Sequence, residues 1–75
     1  MVYVRDADTV KGRPVNINLA SPKKLELLPL IGPRRAARIV SFRRSHGLFR
    51  NIDELELVPG IGKKIAEGLK GYITV

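Results

Sequence analysis

Apolar residues recur at intervals of three or four positions in two segments of the chain. This spacing predicts two amphipathic helices that turn one face toward a core. The predicted inward residues are Ala36, Ile39, Val40 and Phe42 in the first segment, and Ile65, Ala66, Leu69 and Ile73 in the second. We expect Leu48 and Phe49 to fill the junction between the two segments.

The two segments belong to a repeat with an offset of 30 residues. Residues 21–39 align on residues 51–69 with seven identities in nineteen positions. The identical pairs are Leu25/Leu55, Glu26/Glu56, Leu27/Leu57, Pro29/Pro59, Ile31/Ile61, Gly32/Gly62 and Ala36/Ala66. Each copy is therefore interpreted as one supersecondary unit that shares its core with the other. We refer to residues 21–50 as the first unit and to residues 51–75 as the second.

Both units begin with the signals of a helix N-terminus. Ser21 is a suitable N-cap, and Pro22 follows at the first helical position, where its missing N–H is not needed. In the second unit Asn51 takes the capping position, and Glu54 completes a capping-box pattern three residues later. Residues 1–14 show no sustained period, so we interpret them as a tail or linker ahead of a single domain over residues 15–75.

Both units also carry the signals of a tight turn. Pro29 and Pro59 disfavour a helical conformation in the residue before them, so the first helix of each unit should end there. A second helix should begin at about Pro33 and at about Lys63. In the first unit this helix should run to about Ser45 before a glycine stops it.

Basic residues outnumber acidic residues by 14 to 7, which gives a formal net charge of +7. This excess favours polyanionic partners. It lies in the first unit, where residues 21–50 carry eight basic side chains and one acidic side chain. The chain has no cysteine, which excludes a disulfide or a thiolate metal site. Its longest apolar stretch is far shorter than the roughly 20 residues of a membrane-spanning helix.

The two turns have the chemistry of a phosphate site. The N-terminus of a helix leaves its first N–H groups without intrahelical partners and has a partial positive charge. The turns contain Gly32, Gly60 and Gly62, which have no side chain that would keep a sugar-phosphate chain away from these amides. Gly60 also suits the left-handed position after a helix. Ile31 and Ile61 should point inward and anchor the turns.

The motifs Leu-Pro-Leu-Ile-Gly-Pro at residues 28–33 and Val-Pro-Gly-Ile-Gly-Lys at residues 58–63 resemble helix-hairpin-helix motifs. With residues 15–21 ahead and residues 47–55 between them, the chain resembles the DNA-binding domain of the ComEA family of competence proteins. The resemblance covers about residues 15–75. It implies an all-α, SAM-like fold of two tandem hairpins that straddle the minor groove of double-stranded DNA. Their backbone amides would contact phosphates on opposite strands without sequence preference, and DNA uptake is the process suggested.

The predicted DNA-binding residues are those of the two turns and the basic residues that follow them. They are Ile31, Gly32, Arg34, Arg35, Arg38, Gly60, Ile61, Gly62, Lys63 and Lys64. The first turn departs from the motif because Leu30 occupies the position of the first glycine. A left-handed conformation there would cost a non-glycine residue about 1–2 kcal/mol, so the alternative is another turn geometry with its amides aimed differently and a weaker grip on phosphate. Our hypothesis is that the arginines of the first unit compensate by pairing with phosphates directly.

We predict a binding protein rather than an enzyme, with no cofactor and no metal. The acidic residues are scattered, and the single histidine, His46, lies near the end of the long helix, where a cation favours the helix dipole. The alternative is a protein-interaction module, because the extrinsic photosystem II subunit U resembles the same tandem fold. The intact Gly-Ile-Gly turn and the arginine cluster favour DNA.

We expect the protein to be a monomer. We expect it to be cytoplasmic if Met1 is the native start and extracytoplasmic if the chain is part of an anchored ComEA-type protein.

Overall fold

The computed structural model describes residues 14–75, so the tail predicted for residues 1–14 lies, apart from Pro14, outside the described residues. The elements in chain order are β1 (Val15–Asn16), α1 (Pro22–Leu25), α2 (Pro33–His46), a 3₁₀ helix (Ile52–Leu57), α3 (Lys63–Gly68) and β2 (Ile73–Thr74). The first unit consists of α1, a turn and α2, and the second consists of the 3₁₀ helix, a turn and α3. The predicted tandem helical fold is confirmed. Within residues 14–75, no helix has the length and apolarity needed to cross a membrane.

The helix starts lie where the capping residues predict them. The Ser21 side chain accepts a hydrogen bond from the Lys24 amide (3.2 Å), and the Asn51 side chain accepts one from the Glu54 amide (3.2 Å). The Glu54 carboxylate in turn accepts from the amide of Arg50, the residue before the cap (2.9 Å). These side chains satisfy amides that a helix start leaves without partners.

The first helix of each unit is shorter or tighter than the sequence predicts. The α1 helix ends at Leu25, four residues before Pro29, and the corresponding element of the second unit is a 3₁₀ helix. Both units close this segment with the same bond between residues three apart, from the amide of residue 28 to the Leu25 carbonyl and from that of residue 58 to the Leu55 carbonyl (3.1 Å each). A proline one residue later prevents further α-helical turns.

The second helices begin at the predicted residues but differ in length. The α2 helix ends at His46, before Gly47, which has a φ of 91°. The α3 helix ends at Gly68, so the prediction that Ile73 lies on this helix is wrong. Gly68 and Gly71 explain the early end, because each glycine costs a helix about 1 kcal/mol relative to alanine.

A pair of short parallel strands, absent from the predicted all-α fold, joins the two ends of the domain. Val15 pairs with Ile73, and Asn16 pairs with Thr74. The Val15 amide donates to the Tyr72 carbonyl (2.8 Å), and the Ile17 amide donates to the Thr74 carbonyl (3.0 Å). This pairing turns Val15, Ile17 and Ile73 into the core, so the N-terminal segment completes the helical domain.

The core lies between the two units and has nearly the same composition in both. Residues 31–39 and 61–69 show the same sequence of buried, intermediate and exposed positions. Leu25, Leu55, Ile39 and Leu69 are two pairs of equivalent residues, and all four have no exposed surface. The buried residues are Val15, Ile17, Ala20, Leu25, Leu28, Ile31, Ala36, Ile39, Phe49, Leu55, Val58, Ile61, Ala66, Leu69 and Ile73. Val40, Phe42 and Ile65, also predicted to face inward, are partly buried against this core.

The junction between the units is held by Phe49 and Asn18. Phe49 is buried as predicted, whereas Leu48 is 64% exposed, so its predicted role in the junction is wrong. The Phe49 amide donates to Asn18 Oδ1 (2.7 Å), and Asn18 Nδ2 donates to the Phe49 carbonyl (3.0 Å). Phe42 stacks between Phe49 and His46, with ring centroids 5.4 and 4.3 Å away.

The two turns have the same course. We call residues 29–32 the first turn and residues 59–62 the second turn. Gly60 has a φ of 91°, and Leu30, its equivalent, has a φ of 66°. Leu30 therefore adopts the left-handed conformation despite its side chain. Ile31 and Ile61 anchor the turns as predicted, with 3% of each exposed.

We predict that Asn18→Ala lowers the free energy of unfolding by about 2–3 kcal/mol, because it leaves both polar backbone groups of Phe49 without their partner. Urea denaturation followed by circular dichroism measures this change. Leu19→Ala is the control, since the neighbouring Leu19 is 78% exposed, and it should change the free energy of unfolding by less than about 0.5 kcal/mol. A loss below about 0.5 kcal/mol for Asn18→Ala would contradict the role of this pair.

We predict that Leu30→Gly raises the free energy of unfolding by about 0.5–1 kcal/mol. It removes a left-handed penalty of about 1–2 kcal/mol and adds an entropic cost of about 0.5–1 kcal/mol. Leu48→Gly is the control, since Leu48 is equally exposed (64%) but has no positive φ. It should lower the free energy of unfolding by about 0.5–1 kcal/mol. Equal effects of the two substitutions would argue against strain at Leu30.

Candidate nucleic-acid interface

Each turn leads into the N-terminus of a helix through a glycine of the same conformation. Gly32 has φ −92° and ψ −171°, and Gly62 has φ −93° and ψ −176°. Neither α2 nor α3 has a side-chain hydrogen bond at this cap. The first amides of both helices are therefore not covered by a local capping side chain. Pro33 has no N–H, so the first turn presents one amide fewer than the second, where Lys63 occupies that position.

The protein itself does not require glycine at positions 32 and 62. Both residues have extended backbones that any residue type adopts, and a Cβ at either position would meet no atom within 4 Å. The space in front of each helix is thus open to solvent. The absence of a side chain at these two positions leaves room for a ligand to approach the backbone.

Gly60 is a different case, because its backbone conformation favours glycine and a side chain of the first unit lies close to it. Its φ is positive, and a Cβ there would lie 2.7 Å from Arg38 Nη1. Arg38 belongs to α2 in the first unit, yet its guanidinium group lies against the turn of the second unit.

Arg35 connects the two turns directly. Its Nε donates to the Gly60 carbonyl oxygen (3.0 Å), and its Nη1 donates to the Leu30 carbonyl oxygen (3.2 Å). The side chain is half-buried, whereas its neighbour Arg34 is exposed. Two predicted phosphate contacts from the same helix therefore have different surroundings.

These arginines line an open cleft of about 300 Å³ between the turns. Its lining residues are Gly32, Pro33, Arg34, Arg35, Arg38 and Gly60. In the sequence, the basic residues and the motif with both glycines belong to different units. In the structure, the arginines of the first unit reach the turn of the second, so charge and turn geometry meet at one surface.

The predicted site residues fall into three groups. Two of them, Ile31 and Ile61, are buried, and Arg35 is half-buried. The exposed group consists of Gly32, Arg34, Arg38, Gly60, Gly62, Lys63 and Lys64. The Ile31 amide donates to the Leu28 carbonyl (3.2 Å), and the Ile61 amide donates to the Val58 carbonyl (2.9 Å). The two isoleucines therefore shape the turns from inside, and the exposed group forms the accessible surface.

The link between Arg35 and Gly60 was not predicted from the sequence. The repeat alignment contains one signal of it, because Arg35 and Arg38 align with Ile65 and Gly68, which are neither basic nor polar. Such a difference between two otherwise similar units marks positions where one unit has a role that the other lacks.

A model of the helix-hairpin-helix motif matches residues 10–74. ComE operon protein 1 of Bacillus subtilis (strain 168) is 39% identical over 69 residues, which cover 92% of this chain and 34% of that protein. Kinesin-like protein KIF22-B of Xenopus laevis is 42% identical over 58 residues, covering 76% of this chain and 9% of that protein. Endonuclease/exonuclease/phosphatase family domain-containing protein 1 of Homo sapiens is 36% identical over 59 residues, covering 79% of this chain and 10% of that protein.

The chain thus spans about a third of the Bacillus relative and about a tenth of the other two. The match to the motif model extends over both turns and all the helices described above. The chain belongs to the helix-hairpin-helix family.

Proposed function

We propose that this domain binds the phosphate backbone of double-stranded DNA without reading its sequence. The observation that carries this proposal is the surface on which two turns of matched conformation lie together with Arg34, Arg35 and Arg38. Family membership and the net charge of +7 support the same partner.

The chemistry of this surface suits phosphate oxygens. Backbone amides at a helix start donate to anions, and guanidinium groups form charge-assisted bonds with phosphate. The open space at Gly32 and Gly62 allows a sugar-phosphate chain to come close to those amides. Since α3 has only six residues, we expect Lys63 and Lys64 to supply much of the attraction at the second turn.

The paired arrangement of the turns suits the two strands of a duplex. The ComEA resemblance implies that the hairpins straddle the minor groove, with one turn on each strand. Contacts with phosphates position a protein on DNA but carry no direct sequence information. We therefore propose binding that is independent of sequence, by a domain that is not itself an enzyme. The same resemblance favours DNA uptake as the process in which such binding would be used.

We predict that the affinity for mixed-sequence duplexes falls steeply with salt and changes little with base composition. If Arg34, Arg38, Lys63 and Lys64 each neutralise one phosphate, the slope of log K against log salt is about −3.6. The dissociation constant then rises about 150-fold between 50 and 200 mM salt. Fluorescence anisotropy with duplexes of low and high GC content measures both effects. No binding at 50 mM salt would contradict the proposal and favour a protein-interaction module.

We further predict that Lys63→Gln/Lys64→Gln reduces the magnitude of the salt slope by about 1.8, because two phosphate contacts are lost. The matched control is Lys23→Gln/Lys70→Gln, which removes the same charge from α1 and from the Lys70–Asp53 ion pair (3.6 Å). The slope of the control should stay close to that of the wild type. Equal slopes for the two double variants would show that only the net charge matters.

A further inference from the structure

We propose that Arg35 is a positioning residue that fixes one turn relative to the other, rather than a phosphate ligand. The inference rests on the proposed function, because it concerns how the two phosphate-binding turns are held in register with a duplex. Its basis is the pair of bonds from one guanidinium group to the carbonyls of Leu30 and Gly60.

These two acceptors occupy equivalent positions in the repeat. Leu30 and Gly60 are the left-handed residues of their turns, with φ of 66° and 91°. Each carbonyl belongs to the peptide group whose N–H, on Ile31 or Ile61, closes the turn. A group that binds both carbonyls therefore holds the corresponding peptide of each turn. The distance between the turns is then limited by a rigid planar side chain.

The second unit has no residue equivalent to Arg35 that could form such a link. Position 35 corresponds to Ile65, which has the same intermediate burial but no hydrogen-bond donor in its side chain. Arg35 hydrogen-bonds to the backbone of the second turn, 25 positions further along the chain. Its loss would thus remove the side chain that hydrogen-bonds to both turns.

The bonds of Arg35 also separate it from its neighbour Arg34. Charge-assisted hydrogen bonds to two carbonyl oxygens occupy Nε and Nη1 and keep the side chain half-buried. Arg34 is exposed and lines the same cleft, so it is suited to meet a phosphate from solvent. Two adjacent arginines with equal charge therefore have different roles, which makes them a matched pair for experiment.

The first test uses the DNA-free protein and two substitutions that keep the charge, Arg35→Lys and Arg34→Lys. Lysine lacks the fork of donors and cannot bind both carbonyls in the same way. In ¹H–¹⁵N correlation spectra, Arg35→Lys should shift the amide signals of Ile31 and Ile61. Arg34→Lys should leave the Ile61 signal in place. An Ile61 signal that does not move in Arg35→Lys would overturn the link between the turns.

The second test is a double-mutant cycle on duplex affinity. Arg35→Lys should weaken binding about tenfold, because the second turn is then no longer held in register with the first. Since a misaligned second turn contributes less, Lys64→Gln should cost less in this background. The loss of duplex affinity in the double variant Arg35→Lys/Lys64→Gln should be at least about threefold smaller than the product of the losses in the two single variants. Arg34→Lys with Lys64→Gln should give the product within about twofold. If the losses of affinity from Arg35→Lys and Lys64→Gln simply multiply, Arg35 acts as an independent ligand, and this result would overturn its positioning role.

The two tests separate this inference from the proposed function. A wild-type protein that does not bind duplex DNA would overturn the proposed function, and with it the role of Arg35 in DNA binding. The Ile61 signal would still decide whether Arg35 joins the turns. If Arg35→Lys loses its helical circular dichroism, Arg35→Gln and Arg34→Gln replace the lysine variants, because both remove one charge and the amide at position 35 can still donate to one of the two carbonyls.

Discussion

Neither helical unit is large enough to bury its own apolar face, and the fold depends on the burial of these two faces against each other. A domain of this size removes only about 60% of its unfolded surface from water, so few apolar contacts are dispensable. Four fully buried residues at equivalent positions of the two units belong to this core, namely Leu25, Leu55, Ile39 and Leu69. Because this core is shared, the two turns lie on one body. The basic cleft between them forms only when both units are folded.

The features that the sequence predicted are those with local causes. The starts at Ser21 and Asn51, the end of α2 before Gly47 and the inward direction of the two turn isoleucines each depend on neighbouring residues. The repeat added the one non-local inference, that both units share a core. The exposed residues of the candidate site were proposed on the same local ground, since glycines and basic residues at a helix start are visible in the sequence.

The features that the sequence did not reveal depend on residues far apart in the chain. A strand of two residues has no period of its own, so the pairing of Val15 with Ile73 leaves no local signal. The spacing of apolar residues predicted a helix as far as Ile73, because this spacing takes no account of Gly68 and Gly71, which end the helix earlier. Arg35 reaches a carbonyl 25 positions away, and a long side chain of this kind looks the same in the sequence whether it faces solvent or a neighbouring turn. Leu48 illustrates the same limit, since its apolar character does not tell that it points outward.

The parallel pairing of β1 with β2 has a mechanical consequence. The strands run in the same direction, so a force that pulls the two ends of the domain apart acts along both strands in opposite senses. The bonds from Val15 to Tyr72 and from Ile17 to Thr74 are then loaded together in shear, and the bond from Asn16 Nδ2 to the Val75 carbonyl (3.1 Å) shares the load. An antiparallel pair at the same place would open one bond at a time. A force applied to the two ends of the domain would therefore be resisted by the strands before it reached the helices and the basic cleft.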